Sequence, residues 1–262
     1  MDKKILLVGD SCDDIYHFGT CSRLSQEAPV PIFQETFQKI KGGMSGNVKN
    51  NLESFGLSVK HLTSQARLEK HRLFDVKFNA HVLRYDVGEM EIGGADALYI
   101  EQIFTRYDIE SLPKEIDALV ISDYNKGFLS HSCIKRLCEL YKEVPIFADS
   151  KKIDVSCFSN CFLKINEQEF QRCQNLSPST EVIVTLGERG AKYKDDFFST
   201  TAQEVFDVCG AGDVFLAALT YGFLKEGEIT KAIELANKAA TLSVSKPQTY
   251  TLSLKDINDI KK

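Results

Sequence analysis

No two of the eight cysteines stand in a C-x-x-C pair, and no histidine falls beside them at zinc-ligand spacing. A zinc ribbon or finger is thereby excluded. Cys12, Cys21, Cys133, Cys138, Cys157, Cys161, Cys173 and Cys209 read as small core or surface thiols of a reducing compartment. Basic charge is also short. Lys and Arg number 32 against 37 Asp and Glu, a net charge of −5. A general nucleic-acid binder carries the opposite field, so no nucleic-acid partner is expected. No apolar run approaches the roughly 20 residues that cross a bilayer. The first run, Ile5 to Val8, is too short for the core of a signal peptide. No membrane partner and a cytoplasmic location are expected. Internal repeats, low-complexity stretches and long linkers are missing too, which leaves no sign of a second domain.

What is present is a recurring order. Lys4 to Val8 is an apolar run ended by Gly9-Asp10. Asp117 to Ile121, Val144 to Ala148, Phe162 to Ile165 and Glu181 to Leu186 repeat that pattern. Ser132 to Lys142 and Thr230 to Ser245 read as helices. So do a stretch ending at Phe55 with Gly56 as its stop, and the later part of Gly88 to Tyr107. Apolar strand, polar strand end and helix in that succession predict an α/β fold with a doubly wound, mostly parallel sheet. At 262 residues one core burying roughly 70–75% of the unfolded surface is expected. Ligands of such sheets sit beyond the C-terminal strand ends. The loop Gly9 to Asp14 and the residue Asp123 stand there. Either their carboxylates grip ligand hydroxyls or they are solvated acids of turns. Val30 to Ile40, His71 to Phe78 and Ala80 to Val87 alternate without following helices, and read as a small antiparallel sheet. The organisation expected is one domain over 1–262, with small-sheet strands at about 30–41 and 71–87.

One stretch carries chemistry. Asp207-Val208-Cys209-Gly210-Ala211-Gly212-Asp213 runs into the apolar Val214 to Thr220. A Gly-Ala-Gly turn opening a buried helix leaves backbone N–H groups aimed at one point, at the positive end of the helix dipole. Asp213 falls in the first turn, where a carboxylate is favoured and is expected to stay ionised. A base beside an anion cradle suits phosphoryl transfer.

The string from Asp207 to Thr220 resembles the C-terminal signature of the ribokinase-like (phosphofructokinase B) carbohydrate kinases. The resemblance implies that Asp213 is the catalytic base and that Gly210, Ala211 and Gly212 form the anion hole. It also implies a β-sheet lid over the sugar, which here would be the small sheet. Ser22-Arg23-Leu24-Ser25 through Glu27-Ala28-Pro29-Val30-Pro31 is similar to one branch, the D-glycero-beta-D-manno-heptose 7-phosphate kinases. That branch implies a sugar-phosphate substrate, with Asp14, Arg23, Gly43, Asn47 and Asp123 on its side. Lys70 or Arg72 is expected at the substrate phosphate; alternatively both lie on a solvated strand face. Asn166 and Glu169 resemble the family's N-x-x-E element near Mg2+ and the ATP phosphates, though N-x-x-E is equally a helix capping box. Thr185, Gly187 and Gly190 resemble its ATP-side turn, and Asn237 its adenine-side helix. ATP and Mg2+ are therefore the expected cofactors. The exposed edges of a lid suggest a homodimer. One departure stands out: after Gly56 the chain omits most of a strand–helix–strand unit that the family carries. A kinase for another sugar, and an idle relative that only binds, remain open readings.

Overall fold

The computed structural model describes residues 3–64, 68–88, 112–200 and 205–260. Its main sheet has eight strands. They are β1 (Lys4–Gly9), β4 (Ser58–Leu62), β7 (Ala118–Asp123), β8 (Ile146–Ser150), β9 (Phe162–Asn166), β10 (Glu181–Thr185), β11 (Ala191–Tyr193) and β12 (Asp196–Phe198). The order across the sheet is β12-β11-β10-β9-β8-β7-β1-β4. All pairs from β4 to β10 are parallel, and β11 and β12 close one edge as an antiparallel hairpin.

Side-chain alternation along β1 shows why both faces are covered. Ile5 and Leu7 point to one core, built with α1 (Ser45–Ser54), α4 (Ala211–Glu226), α5 (Ile229–Val244) and α6 (Leu254–Ile260). Leu6 and Val8 point to the other, built with α2 (His131–Leu140) and the Val155 to Cys161 segment. An apolar run buried on both faces is what a parallel strand requires. Helix α4 is buried from Asp213 to Gly222, packed between the sheet, α1 and α5. Its all-round apolar sequence follows from that position. The doubly wound, mostly parallel sheet expected from the sequence is therefore present. Among the described residues no helix is long and apolar enough to cross a membrane.

The separate small sheet corrects two expectations. It has four strands in the order β3-β2-β5-β6, with β2 (Ser11–Leu24), β3 (Pro31–Met44), β5 (Glu69–Asp75) and β6 (Ala80–Val87). The expected loop from Gly9 to Asp14 is in fact the last residue of β1 and, from Ser11, the start of β2. The acids there obscured an alternation in which Cys12, Asp14 and Tyr16 are buried while Ser11, Asp13 and His17 are only partly so. Gly43, expected on the substrate side, lies near the end of β3, which runs straight into α1. The sheet is not wholly antiparallel, because β2 and β5 pair in parallel. The helical pattern at 89–107 lies outside the described residues. Helix α6 was not anticipated.

Candidate active site

Two carboxylates organise the region between the sheets. Asp213 stands in the first turn of α4, entered through Gly210 in the left-handed conformation at φ 78°. Only glycine fits there. A Cβ at Gly210 would meet Asn47 Nδ2 at 2.7 Å and Thr249 Cγ2 at 3.0 Å. At Gly212 it would meet Lys164 Nζ at 2.8 Å. Ala211 N–H reaches Val208 O at 3.3 Å. Val214 N–H closes back on Gly210 O at 3.0 Å, and a buried ammonium lies beside the turn. Lys164 Nζ is 2.6 Å from Asp149 Oδ2, and both side chains are 4% exposed. Burial alone would push the Asp149 carboxyl up, but Lys164 and Lys151 hold it below its ordinary value.

Asp213 itself is held from two directions. Tyr124 Oη donates to Oδ1 at 2.7 Å, and Asn47 Nδ2 donates to Oδ2 at 3.0 Å. Asn47 is oriented by Asn51, whose amide donates to Asn47 Oδ1 at 3.1 Å. Burial pushes the Asp213 carboxyl up to about 6, against the two hydrogen bonds that favour its charged form. The expectation that the helix dipole keeps it fully ionised is thus revised. Desolvation outweighs the dipole, and the group is mostly ionised only above about pH 6.

Asp14 is the second carboxylate. Arg72 binds its Oδ1, and Thr249 Oγ1 donates to Oδ2 at 3.0 Å. Tyr16 Oη lies 2.7 Å from Thr249 Oγ1, and Lys41 Nζ reaches Thr249 O at 2.7 Å. Gly43 passes so close that a Cβ would stand 2.6 Å from both Asp14 Oδ2 and Cys12 Sγ. Arg72 is thus committed to Asp14, whereas Lys70 Nζ lies over the Tyr124 ring at 5.6 Å from its centre.

A cavity of about 620 Å³ opens on the far side of the Gly210–Gly212 turn. It gathers Asn166, Thr185, Gly187, Gly190 and Asn237 with Gly210, Ala211 and Gly212. That volume suits a nucleotide. Asn166 and Glu169 open α3 (Glu167–Arg172) as a reciprocal capping box, and Glu169 also binds Lys151. Asn237 is tied to Phe198 O at 2.7 Å. Among the described residues no cluster of three or more His, Cys, Asp or Glu could cage a metal. Asp149 Oδ1, however, is buried without a hydrogen-bond partner. One orphaned hard oxygen beside a phosphate-sized cradle fits a hydrated Mg2+ shared with phosphates, which needs few protein ligands.

Two expected residues are not brought into this cluster. Arg23 is exposed nine positions beyond Asp14 on β2, roughly 30 Å along the strand. The Asp123 carboxylate is taken up by Ser150 Oγ at 2.6 Å and Asn125 N at 3.0 Å. Tyr16, Lys41, Tyr124, Asp149, Lys164 and Thr249 were not anticipated. Lys164 had a signal, a lysine inside an apolar strand. Tyr124 and Asp149 sit at or just past strand ends. Thr249 had none, being 233 positions from Tyr16.

Comparison with known proteins places this geometry. Residues 159–256 match the pfkB family carbohydrate kinase profile. The bifunctional protein HldE of Campylobacter jejuni is 30% identical over 304 aligned positions, covering 99% of this chain and 65% of that protein. The HldE of Nitratiruptor sp. is 29% identical with the same coverage. The chain thus spans 65% of the length of these relatives. The 304 positions exceed the 262 residues of the chain, so the relative carries residues with no counterpart here. Among solved structures, ribokinase from Thermotoga maritima aligns with TM-score 0.69 at 15% identity over 99% of both chains. Escherichia coli phosphofructokinase-2 aligns with TM-score 0.70 at 14% identity, over 99% of this chain and 98% of that one. The fold is ribokinase-like. Residues 159–256 match the pfkB family carbohydrate kinases, and nearly the whole chain is similar to HldE proteins.

Proposed function

We propose that the chain is an ATP-dependent sugar kinase, acting on the anomeric hydroxyl of a sugar phosphate. The observation that carries this reading is the placement of Asp213. It is held by Asn47 and Tyr124, and it follows directly on the Gly210–Gly212 turn that lines the nucleotide-sized cavity. A carboxylate with a pKa of about 6 can accept a hydroxyl proton near neutral pH. The Gly210–Gly212 turn and the Lys164 ammonium then oppose the charge of the moving phosphoryl. Asn166, Thr185, Gly187, Gly190 and Asn237 would bind ATP. Mg2+ would be held by Asn166 and Glu169, with Asp149 Oδ1 as a further available oxygen. When bound, it neutralises phosphate charge.

The substrate favoured is D-glycero-beta-D-manno-heptose 7-phosphate, converted to the 1,7-bisphosphate. The support is the likeness of Ser22 to Pro31 to kinases of that sugar, with relatives named HldE aligned over nearly the whole chain. Asp14, Gly43 and Asn47 would line the sugar. Lys70 would meet its phosphate, because Arg72 is already engaged by Asp14. The small sheet would close as a lid and exclude water. Its outer face exposes Ile40, Leu83, Tyr85 and Val87, which supports pairing of two lids in a homodimer. The whole chain, 1–262, would act as one cytoplasmic kinase unit. Coupled ADP release across a sugar panel tests the reading. Turnover of heptose 7-phosphate is expected. Turnover of another sugar alone would replace the substrate, and binding without ADP release would overturn the activity.

A further inference from the structure

Tyr124 stands at the boundary between the two compartments. Its ring lines the large cavity and also packs against the Cys12, Met44 and Leu68 cluster on the sugar side. Lys70 Nζ and Lys151 Nζ each lie 5.6 Å from its centre. A buried phenol needs a hydrogen-bond partner, and any carbonyl would serve. This one is aimed at the Asp213 carboxylate.

The aim is enforced from the chain behind it. Asp10, at the end of β1, accepts the backbone N–H groups of Tyr124 at 2.8 Å, Lys126 at 3.3 Å and Phe128 at 3.4 Å. Asp123 accepts Asn125 N at 3.0 Å within the same turn. Two buried acids thus fix the turn that presents the phenol. Asn47 holds the other oxygen of Asp213. Each carboxylate oxygen keeps a second lone pair for a substrate proton.

Resting on the kinase reading, we propose that Tyr124 is a positioning residue, whose hydroxyl fixes the Asp213 carboxylate and sets the pH at which that carboxylate is charged. Burial, with the charges of Asp213 and Asp149, pushes the phenol well above its ordinary value, so it acts only as a donor. The other groups facing Asp213 are Asn47 on α1, Asp149 on β8 and Lys164 on β9. Cys12 on β2 and Lys151 after β8 also feel its charge. Tyr124→Phe changes none of these and keeps the ring.

A hydrogen bond to a charged group, once lost, moves its titration by about 1–2 pH units. Carbon-13 carboxyl titration of the unliganded protein reads this without any substrate, with Asp213→Asn identifying the resonance. The Asp213 midpoint should rise from about 6 in Tyr124→Phe. It should fall when 3-fluorotyrosine, a stronger donor, replaces Tyr124. The acid limb of kcat/KM for MgATP and heptose 7-phosphate should move up in step, with most of the rate regained near pH 8.5. An unmoved midpoint, or a loss equal at all pH values, overturns the proposal. Failure of the kinase reading shows separately, as no ADP release by the unaltered protein.

Discussion

The two sides of the cleft, one proposed for the sugar and the other for the nucleotide, are built on opposite terms. On the sugar side nearly every polar group already has a partner: Arg72, Asp14, Thr249, Tyr16 and Lys41 form one buried network. On the side of the large cavity Asp149 Oδ1 is buried without a hydrogen bond, and no side chain caps the N-terminus of α4. A closed network costs little in the absence of ligand and admits only a ligand whose hydroxyls can trade for its bonds. An open one is ready for an anion, since helix N–H groups bind any phosphate. On the proposed reading, selectivity belongs to the small sheet and reaction type to the large one.

The comparison breaks first at Asp213, which serves both sides. Asp213→Ala should cut turnover by about 10²–10⁴ while sugar and ATP still bind, read by ADP release beside calorimetric titration. Near-normal turnover would remove Asp213 as the base. Next, Arg72→Met should strand the Asp14 charge. Both side chains are 6% exposed, so the loss is expected at about 3–5 kcal/mol in denaturant unfolding. KM for the sugar should rise far more than KM for ATP. Equal rises would erase the division of labour. Gly210→Ala forces a side chain into a left-handed residue, and should cost about 1–3 kcal/mol. Its kinetic loss should fall on kcat, since the added Cβ crowds Asn47 rather than the nucleotide cavity.

The smallest effect is that of pH. Asp213 works deprotonated and its pKa is about 6, so kcat/KM should be halved near pH 6 and fall about tenfold per unit below it. Stability should run the other way. A carboxyl raised from 3.8 to about 6 in the folded state binds its proton more tightly when folded. Asp213 and Asp10 should therefore favour folding increasingly as pH drops from about 6 towards 4, the window between their folded and unfolded values. Thermal melts of Asp213→Asn against the parent chain would show that contribution missing.

Some of this was written locally and some was not. The parallel strands were legible, because a strand buried on both faces must be apolar throughout, as Ile5 to Val8 and Ala118 to Ile121 are. The turn that opens α4 was legible as well, since Gly-Ala-Gly-Asp before a buried helix encodes its own geometry over a few residues. Strand β2 was not legible, because its inward positions carry Asp14 and Tyr16 and satisfy them far along the chain. By itself the sequence determined the sheet and the helix that carries Asp213. Only the tertiary structure decided that Asn47 and Tyr124 hold Asp213, that Arg72 belongs to Asp14, and that Thr249 bonds Asp14. Those are hydrogen bonds between buried groups separated by 58 to 235 positions, whose strength depends on exclusion from water. Burial of that kind exists only once the sheets have packed.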